Sequence, residues 1–438
     1  MRAMKQNPWL WVPSLYFAEG IPYFLVNNVS VMMLTRLGVP NGEMALYTSL
    51  LYLPWVIKPL WSPFVDIWRT KRWWILTMQI LMSACFVGLT ITIPHPDASI
   101  ISVQQTSIGL FKWMLCLFWI CAFLSATHDI AADGFYMLAL SEGDQSLFVG
   151  IRSTFYRLAN IFGLGVLIAI AGLLETRLGN IPQAWQITLL ITSILFASIT
   201  LWHLFFLPKA ETKTTDTEHN KTVEAIFQEF GLTFVSFFKK KGILIALLFM
   251  LLYRLPEAFM LKMVTPFLVG SQESGGLGLK TEYVGLLYGT FGVLFLTIGG
   301  ILGGIYASRK GLKKSLWIMA LLITLPDAVY LYMSLFPTNS LWLIGCCISL
   351  EQFGYGFGFT AYMLYLIWFS QGEKKTSHYA LCTAFMAAGM MLPGLVAGYL
   401  QEAVGYKIFF SLIMLFCFIT LLVTALVYQQ IPEQYGKK

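Results

Sequence analysis

Long apolar runs recur from one end of the chain to the other. They are continuous rather than alternating, as at 243–252 and 409–427, which argues against the alternating ten-residue segments of a membrane β-barrel. A spanning helix needs about 20 mainly apolar residues, and 57% of the 438 residues are hydrophobic whereas 12% are charged. This pattern excludes a water-soluble enzyme and predicts an all-α integral membrane protein.

Charged or Gly/Pro-rich turns divide the apolar runs into twelve predicted membrane-spanning helices. These lie near 10–35, 43–65, 73–94, 110–140, 146–174, 184–207, 243–269, 282–307, 314–336, 341–370, 377–401 and 406–430. The longest polar break separates six spans from six. The layout predicts an N-terminal six-helix bundle (1–208), a cytoplasmic linker with an amphipathic helix (209–242) and a C-terminal six-helix bundle (243–438).

The linker begins with a polar stretch at 209–221, which cannot pack a core. Ile226, Phe230, Phe234 and Phe237 then follow at helical spacing. We interpret them as the apolar face of a surface helix on the cytoplasmic leaflet.

Basic residues are distributed unevenly between alternate connections. Of the 29 Lys and Arg, 20 fall on the side of the termini and the linker, and 5 fall on the other side. The positive-inside rule therefore predicts cytoplasmic termini. Residues 1–8 lead into an apolar stretch without a cleavage pattern, so we expect direct insertion into the bacterial inner membrane as a multi-pass protein.

The seven cysteines lie inside apolar runs without metal-ligand spacing, which favours packing over disulfides or metal binding. The net charge of +7 is too small and dispersed to indicate nucleic acid. We expect a monomer among membrane lipids that takes a small-molecule substrate and uses no cofactor or metal.

Charged residues inside the predicted spans cost about 2.5–3.5 kcal/mol each on insertion scales. We single out ten of them: Glu19, Lys58, Asp129, Asp133, Arg157, Arg254, Glu257, Lys262, Asp327 and Glu351. We interpret Lys58 and Lys262 as snorkelling toward the membrane interfaces. Asp327 follows a proline and is interpreted as the cap of a broken helix. The other seven are candidates for function.

Asp129 and Asp133 lie one turn apart on the fourth span. Because such carboxylates repel in a low dielectric, either one holds a proton or both need cations. Arg157 in the fifth span is an available counter-charge. Two interpretations remain open: a structural Asp–Arg latch, or a site whose charge changes during transport. His128, taken as the only histidine in a span core, is interpreted as a hydrogen-bonded neighbour of the aspartates.

Carboxylates also stand close to prolines in the first and seventh spans. Glu19 precedes Pro22, and Arg254 and Glu257 flank Pro256 and are expected to pair along one face. Proline frees backbone carbonyls, which is tolerated where a helix lines a wet cavity.

Glu351 precedes glycines at 354, 356 and 358. This run suits either close helix packing or a bendable gate. Five tyrosines stand beside the charges and could stack on a sugar or pack in the core: Tyr16, Tyr23, Tyr156, Tyr253 and Tyr355.

Short strings in both halves resemble AmpG-type permeases, of the peptide/acetyl-coenzyme-A transporter branch of the major facilitator superfamily. They are FAEGIP at 17–22, KPLWSPFVD at 58–66, HDIAAD at 128–133, YRL at 156–158, YAL at 379–381 and GLVAG at 394–398. The resemblance implies proton-driven import of N-acetylglucosaminyl-anhydro-N-acetylmuramyl peptides. It also implies a fold of two six-helix halves with the substrate site near the membrane midplane. Such import serves peptidoglycan recycling.

Carried over by position, the resemblance implicates Asp129, Asp133 and Arg157. Two departures are visible: Glu19 stands where a small polar residue is expected, and Ser308 stands where many facilitators have an acidic residue. The departure at Glu19 leaves the exact substrate open between a muropeptide, the sugar alone, a peptide and another cell-wall fragment.

The preferred hypothesis is a proton-coupled importer of muropeptide-like solutes. The alternatives are a facilitator for another solute (acyl-coenzyme A, a sugar or a drug), a membrane-embedded transferase, and a sensor without flux. No catalytic residue is assigned. The proton-coupling candidates are Asp129, Glu19, Asp133, Glu257 and Glu351. The substrate-binding candidates are Arg157, Arg254, Tyr16, Tyr156, Tyr253 and Tyr355. The loop assigned to conformational change contains Asp66, Arg69 and Arg72.

Overall fold

The computed structural model describes residues 7–94, 101–209, 223–433 and 435–436, and its regular elements there are all helical. In chain order the α-helices are α1 Val12–Phe24, α2 Ser30–Arg36, α3 Asn41–Leu50, α4 Leu53–Ile57, α5 Ser62–Ile67, α6 Lys71–Thr92, α7 Ile101–Ala139, α8 Glu142–Ile161, α9 Ile168–Leu178, α10 Ile181–Phe206, α11 Val223–Phe238, α12 Ile243–Leu252, α13 Leu255–Val269, α14 Thr281–Val284, α15 Val293–Lys310, α16 Leu312–Thr324, α17 Ala328–Leu335, α18 Leu341–Phe369 and α19 Lys375–Tyr428.

Helical segments occupy each of the twelve predicted spans. Within the described residues, eight helices are long and apolar enough to cross a membrane by length and composition. One of them, α19, contains two predicted spans, because Gly405 adopts φ 73° and ψ 166° and breaks the helical path there. Several other spans are divided by short π or 3₁₀ turns. The all-α twelve-span prediction is confirmed.

The chain divides into two compact units. The first comprises Met1–Gly38 and Leu60–Ile226, and the second comprises Val39–Pro59 and Phe227–Lys438. Helices α3 and α4 therefore pack with the second unit, mainly against α19. The polar linker stretch, from residue 210 onward to 222, lies outside the described residues.

Prolines divide the helices that carry buried carboxylates. Pro22 lies inside α1, and a π turn, Leu25–Val29, follows directly. In the second unit, α13 begins just after Arg254 with Pro256 in its first turn. This start places Glu257 in the same turn, where the helix dipole favours negative charge.

Asp327 was predicted to cap a helix broken by proline, and this prediction is wrong. The helical path continues through a 3₁₀ turn, Leu325–Asp327, and the Asp327 side chain makes no cap hydrogen bond. The Ala328 N–H is already bound to the carbonyls of Leu325 and Pro326. Asp327 is instead 2% exposed inside the second unit.

Helix α11 meets the second unit through part of its predicted apolar face. Phe237 is buried and packs against Phe369, and Ser236 Oγ lies 3.0 Å from His378 Nε2. Phe234 remains exposed. Docking on the cytoplasmic leaflet stays a prediction.

The alternating glycines of α18 serve close helix packing. Helix α18 runs unbroken, and a Cβ at Gly354 or Gly358 would meet backbone of α16, whereas a Cβ at Gly356 would meet the Leu296 carbonyl of α15. Only glycine permits these approaches on both sides. Of the two alternatives, packing is therefore the one observed.

Replacing Gly356 with alanine should destabilise the second unit by about 1–3 kcal/mol, because the added methyl overlaps backbone that cannot move aside. The measurement is the thermal unfolding temperature in lipid nanodiscs. Gly304→Ala on α15 is the matched control, since a Cβ there meets open space. Equal shifts in the two variants would contradict the packing role.

Candidate functional site

The first unit brings Glu19 of α1 beside the two aspartates of α7. Glu19 is 8% exposed, shares a side-chain hydrogen bond with Asp129 and lies within electrostatic range of Asp133. Two carboxyl groups can form a hydrogen bond only when one carries a proton. Glu19 Oε2 is buried and has no hydrogen-bond partner among the described residues. This geometry brings the carboxyl groups of Glu19 and Asp129 together in the interior of the first unit.

The counter-charge of Asp133 is Arg152, not the predicted Arg157. Arg152 Nη2 donates to Asp133 Oδ1 at 2.8 Å, and its guanidinium lies 4.5 Å from the Tyr16 ring centroid and 5.1 Å from that of Tyr136. The Tyr16 hydroxyl donates to the same carboxylate oxygen at 3.4 Å. Because α8 is continuous, positions five residues apart point about 140° away from each other. Tyr16 thus contacts both members of the Asp133–Arg152 ion pair, and its substrate-binding role stays a prediction.

Arg157 lies on another face of α8. It is half-buried and makes no ion pair with Asp129 or Asp133 among the described residues. The neighbouring Tyr156 ring packs 5.3 Å from Phe24. The substrate-binding role of Arg157 and Tyr156 stays a prediction.

A buried chain of polar side chains runs beside the aspartates. His128 Nε2 lies 3.0 Å from Gln79 Nε2, and Gln79 Oε1 lies 2.9 Å from His203 Nδ1. His203 Nε2 in turn lies 2.9 Å from Ser14 Oγ. Two expectations are corrected: His203 is a second fully buried histidine, and the hydrogen-bond partner of His128 is Gln79 rather than an aspartate. Adjacent helical positions point about 100° apart, so His128 and Asp129 face different neighbours.

The second unit contains a separate carboxyl cluster. Oxygens of Glu257, Asp327 and Glu351 lie within 4.8 Å of one another, and all three residues are buried. Tyr330 Oη and Gln352 Nε2 donate to Glu351 Oε2 at 3.1 and 3.0 Å. Sequence reasoning missed Asp327 as a member, because its partners lie far away in the chain.

Arg254 contacts aromatic residues near this cluster. Its Nη2 donates to the Tyr355 hydroxyl, and its guanidinium lies 4.7 Å from the Phe359 ring centroid. It also acts electrostatically on Glu257. Tyr253 is fully buried and donates to the Gly358 carbonyl at 3.2 Å, so the packing alternative holds for this tyrosine.

Lys262 does not snorkel as expected. It is 1% exposed, its Nζ donates to Thr48 Oγ1 at 3.1 Å, and it lies 5.1 Å from the Tyr52 ring centroid. Both contacts come from the segment of α3 and α4, which packs in the second unit. A fully buried ammonium group was therefore missed by the sequence reasoning.

The structure shows contacts for two of the three residues assigned to the conformational loop. Arg72 donates to the carbonyls of Leu207 and Leu204 at 3.0 and 2.9 Å, and so caps the end of α10. Arg69 lies 5.8 Å from the Trp73 ring centroid. The side chain of Asp66 lies outside the described part of the chain, and the role of the loop stays a prediction.

Comparisons with known proteins agree with this architecture. The family model described as Major Facilitator Superfamily matches residues 14–371. The anhydromuropeptide permease of Escherichia coli K12 is 26% identical over 90% of this chain and 74% of its own length. A Rickettsia felis protein with the provisional name transporter AmpG 4 is 23% identical over 90% of each chain. The crystal structure of a D-xylose-proton symporter covers 98% of this chain and 99% of its own, with 12% identity and a TM-score of 0.70.

Proposed function

The chain belongs to the Major Facilitator Superfamily, and from this premise we propose that it imports muropeptides in symport with protons. It is a secondary transporter and not an enzyme, and it is a multi-pass inner-membrane protein. Alternating access is the mechanism we assign to it.

The proposed substrate class is the anhydromuropeptide, a disaccharide that carries a peptide with carboxylates. Its support is the relative named as an anhydromuropeptide permease, which aligns with 90% of this chain. Arg157 and Arg254 are the residues we assign to the peptide carboxylates, because a guanidinium binds carboxylate in a fixed fork geometry. Tyr156 and Tyr355 are assigned to the sugar rings.

One observation supports the proposed proton coupling, namely the hydrogen bond between Glu19 and Asp129. A carboxyl pair that holds one proton inside a spanning helix can release it when its surroundings change, and its charge then changes by one unit. Asp133 is paired with Arg152 and so is the weaker candidate. Glu257 and Glu351 lie in the second unit and belong to a separate carboxyl cluster.

The proposed orientation has both termini in the cytoplasm and import directed inward. It rests on the excess of Lys and Arg on the side of the termini. We propose that the working unit is a monomer in contact with membrane lipids.

A panel of labelled solutes in proteoliposomes tests the substrate class. It contains an anhydromuropeptide, its disaccharide without peptide, the free peptide and an acyl-coenzyme A, each offered with an inward proton gradient. We expect intact anhydromuropeptide to accumulate above the level in protein-free liposomes. Accumulation of acyl-coenzyme A alone would contradict the substrate assignment, and a chemically altered product would contradict transport itself.

A further inference from the structure

Three buried carboxyl groups of the second unit have no part in the proposed proton pair. We call Glu257, Asp327 and Glu351 the acid triad. Glu257 lies in the first turn of α13, Asp327 in the turn between α16 and α17, and Glu351 on α18. They are 5%, 2% and 2% exposed. Distant segments thus bring three carboxyl groups together in the interior of the second unit.

We propose that the acid triad binds a hard metal cation, with Na⁺ and Ca²⁺ as the probes. Ca²⁺ binds oxygen ligands at about 2.3–2.6 Å, and Na⁺ has nearly the same radius. Two oxygens on opposite sides of such an ion lie up to about 5 Å apart. Since one oxygen from each triad member lies within 4.8 Å of the other two, small side-chain adjustments bring all three within contact of a single ion placed between them.

An unsatisfied oxygen at the same place supports this assignment independently of the spacing. Glu257 Oε2 is buried and has no hydrogen-bond partner among the described residues. A buried carboxylate oxygen without a donor is costly unless a cation contacts it. Glu351, by contrast, has its Oε2 held by Tyr330 and Gln352. Donors of this kind orient a ligand carboxylate in metal sites.

The charged groups around the acid triad leave it with an excess of negative charge, which favours a bound cation. Arg254 is the cation that acts on Glu257, and its guanidinium faces the Tyr355 hydroxyl and the Phe359 ring. The other titratable groups beside the carboxyls are Tyr288, Tyr330 and Cys417, whose Sγ lies 4.0 Å from Asp327 Oδ2. In their neutral forms they bring no positive charge. Three carboxylates therefore exceed the positive charge near them.

A hard cation fits this arrangement better than shared protons do. A proton bridges two oxygens, whereas the triad presents three carboxyls at similar separations together with an unpartnered oxygen. All the charged ligand atoms are oxygens, which suit alkali and alkaline-earth ions. The inference goes beyond the proposed function, since proton symport through Glu19 and Asp129 does not require it.

The test uses the full chain in nanodiscs, stripped of metals in choline buffer. Binding of radioactive Na⁺ and Ca²⁺ is measured directly, and the unfolding temperature is followed as Na⁺, K⁺, Mg²⁺ or Ca²⁺ is added. We expect saturable binding of about one Na⁺ or Ca²⁺ per chain and a higher unfolding temperature with the ion that binds.

Variants of the acid triad test whether the ion binds at these carboxyl groups. Asp327→Asn and Glu351→Gln should each weaken binding at least about tenfold, as expected when a charged ligand is lost. Glu273→Gln, at an exposed position of the second unit, should bind as the parent does. Glu257→Gln provides a third test where one of the other variants fails to fold.

Two outcomes would overturn the proposal. One is the absence of cation binding and of any cation-dependent rise in unfolding temperature in the parent protein. The other is binding that persists unchanged in folded triad variants. A stabilisation by acidification alone, lost in the same variants and without metal binding, would instead assign the triad to protons and would leave the proposed symport at Glu19 and Asp129 untouched.

Discussion

Asp129→Asn is expected to abolish uphill uptake while exchange of substrate across the membrane persists. Asparagine retains the shape of the side chain and can hydrogen-bond to Glu19, but it cannot carry an exchangeable charge. A gradient of one pH unit supports about tenfold accumulation for each proton transported, and this ratio should fall to about one in the variant. The measurement is accumulation of labelled anhydromuropeptide in proteoliposomes with an imposed gradient.

Glu19→Gln should have the same effect, because Glu19 shares the hydrogen bond. Glu273→Gln is the control, since its carboxyl is exposed. Unchanged gradient-driven uptake in Asp129→Asn would contradict the assignment of the proton to this pair. Loss of both exchange and uptake would indicate a damaged fold. The unfolding temperature of the variant shows whether the fold is intact.

Arg157→Met should raise KM for a muropeptide about 10- to 150-fold with little change in maximal rate. The reason is the loss of charge-assisted hydrogen bonds to a substrate carboxylate, worth about 1.5–3 kcal/mol. Arg157 points away from Arg152 on α8, so its replacement leaves the Asp133 ion pair in place. Initial uptake rates over a range of substrate concentrations give both parameters.

The matched control for this variant is Arg177→Met, because Arg177 is an exposed arginine of the same unit. Arg152→Met provides a contrast, since it removes the arginine paired with Asp133 and should lower the unfolding temperature. An unchanged KM in Arg157→Met would remove this residue from the substrate site.

The membrane layout was predictable because it depends on local sequence. Span length and polar breaks are properties of consecutive residues, and each predicted span is occupied by helix. Even the boundary between the last two spans was placed correctly, at the non-helical backbone of Gly405. The close packing of α18 remained one of two alternatives, because sequence alone does not show which helices approach the glycines at 354, 356 and 358.

The pairing of buried charges was not predictable, because it depends on how distant helices pack. Arg152 was counted among the cytoplasmic charges, and Arg157 was taken as the available partner of the aspartates. Helical phase places these two arginines on different faces, but it does not tell which face meets Asp133. The burial of Lys262 was hidden for the same reason, since α3 lies more than 200 residues earlier.

The most direct test of proton symport is proton entry driven by substrate. Proteoliposomes that contain a pH-sensitive dye and no initial gradient receive anhydromuropeptide outside, with the membrane potential clamped. Proton symport predicts internal acidification that follows substrate uptake in the parent protein and is lost in Asp129→Asn. Muropeptide uptake without acidification would contradict proton symport at Glu19 and Asp129.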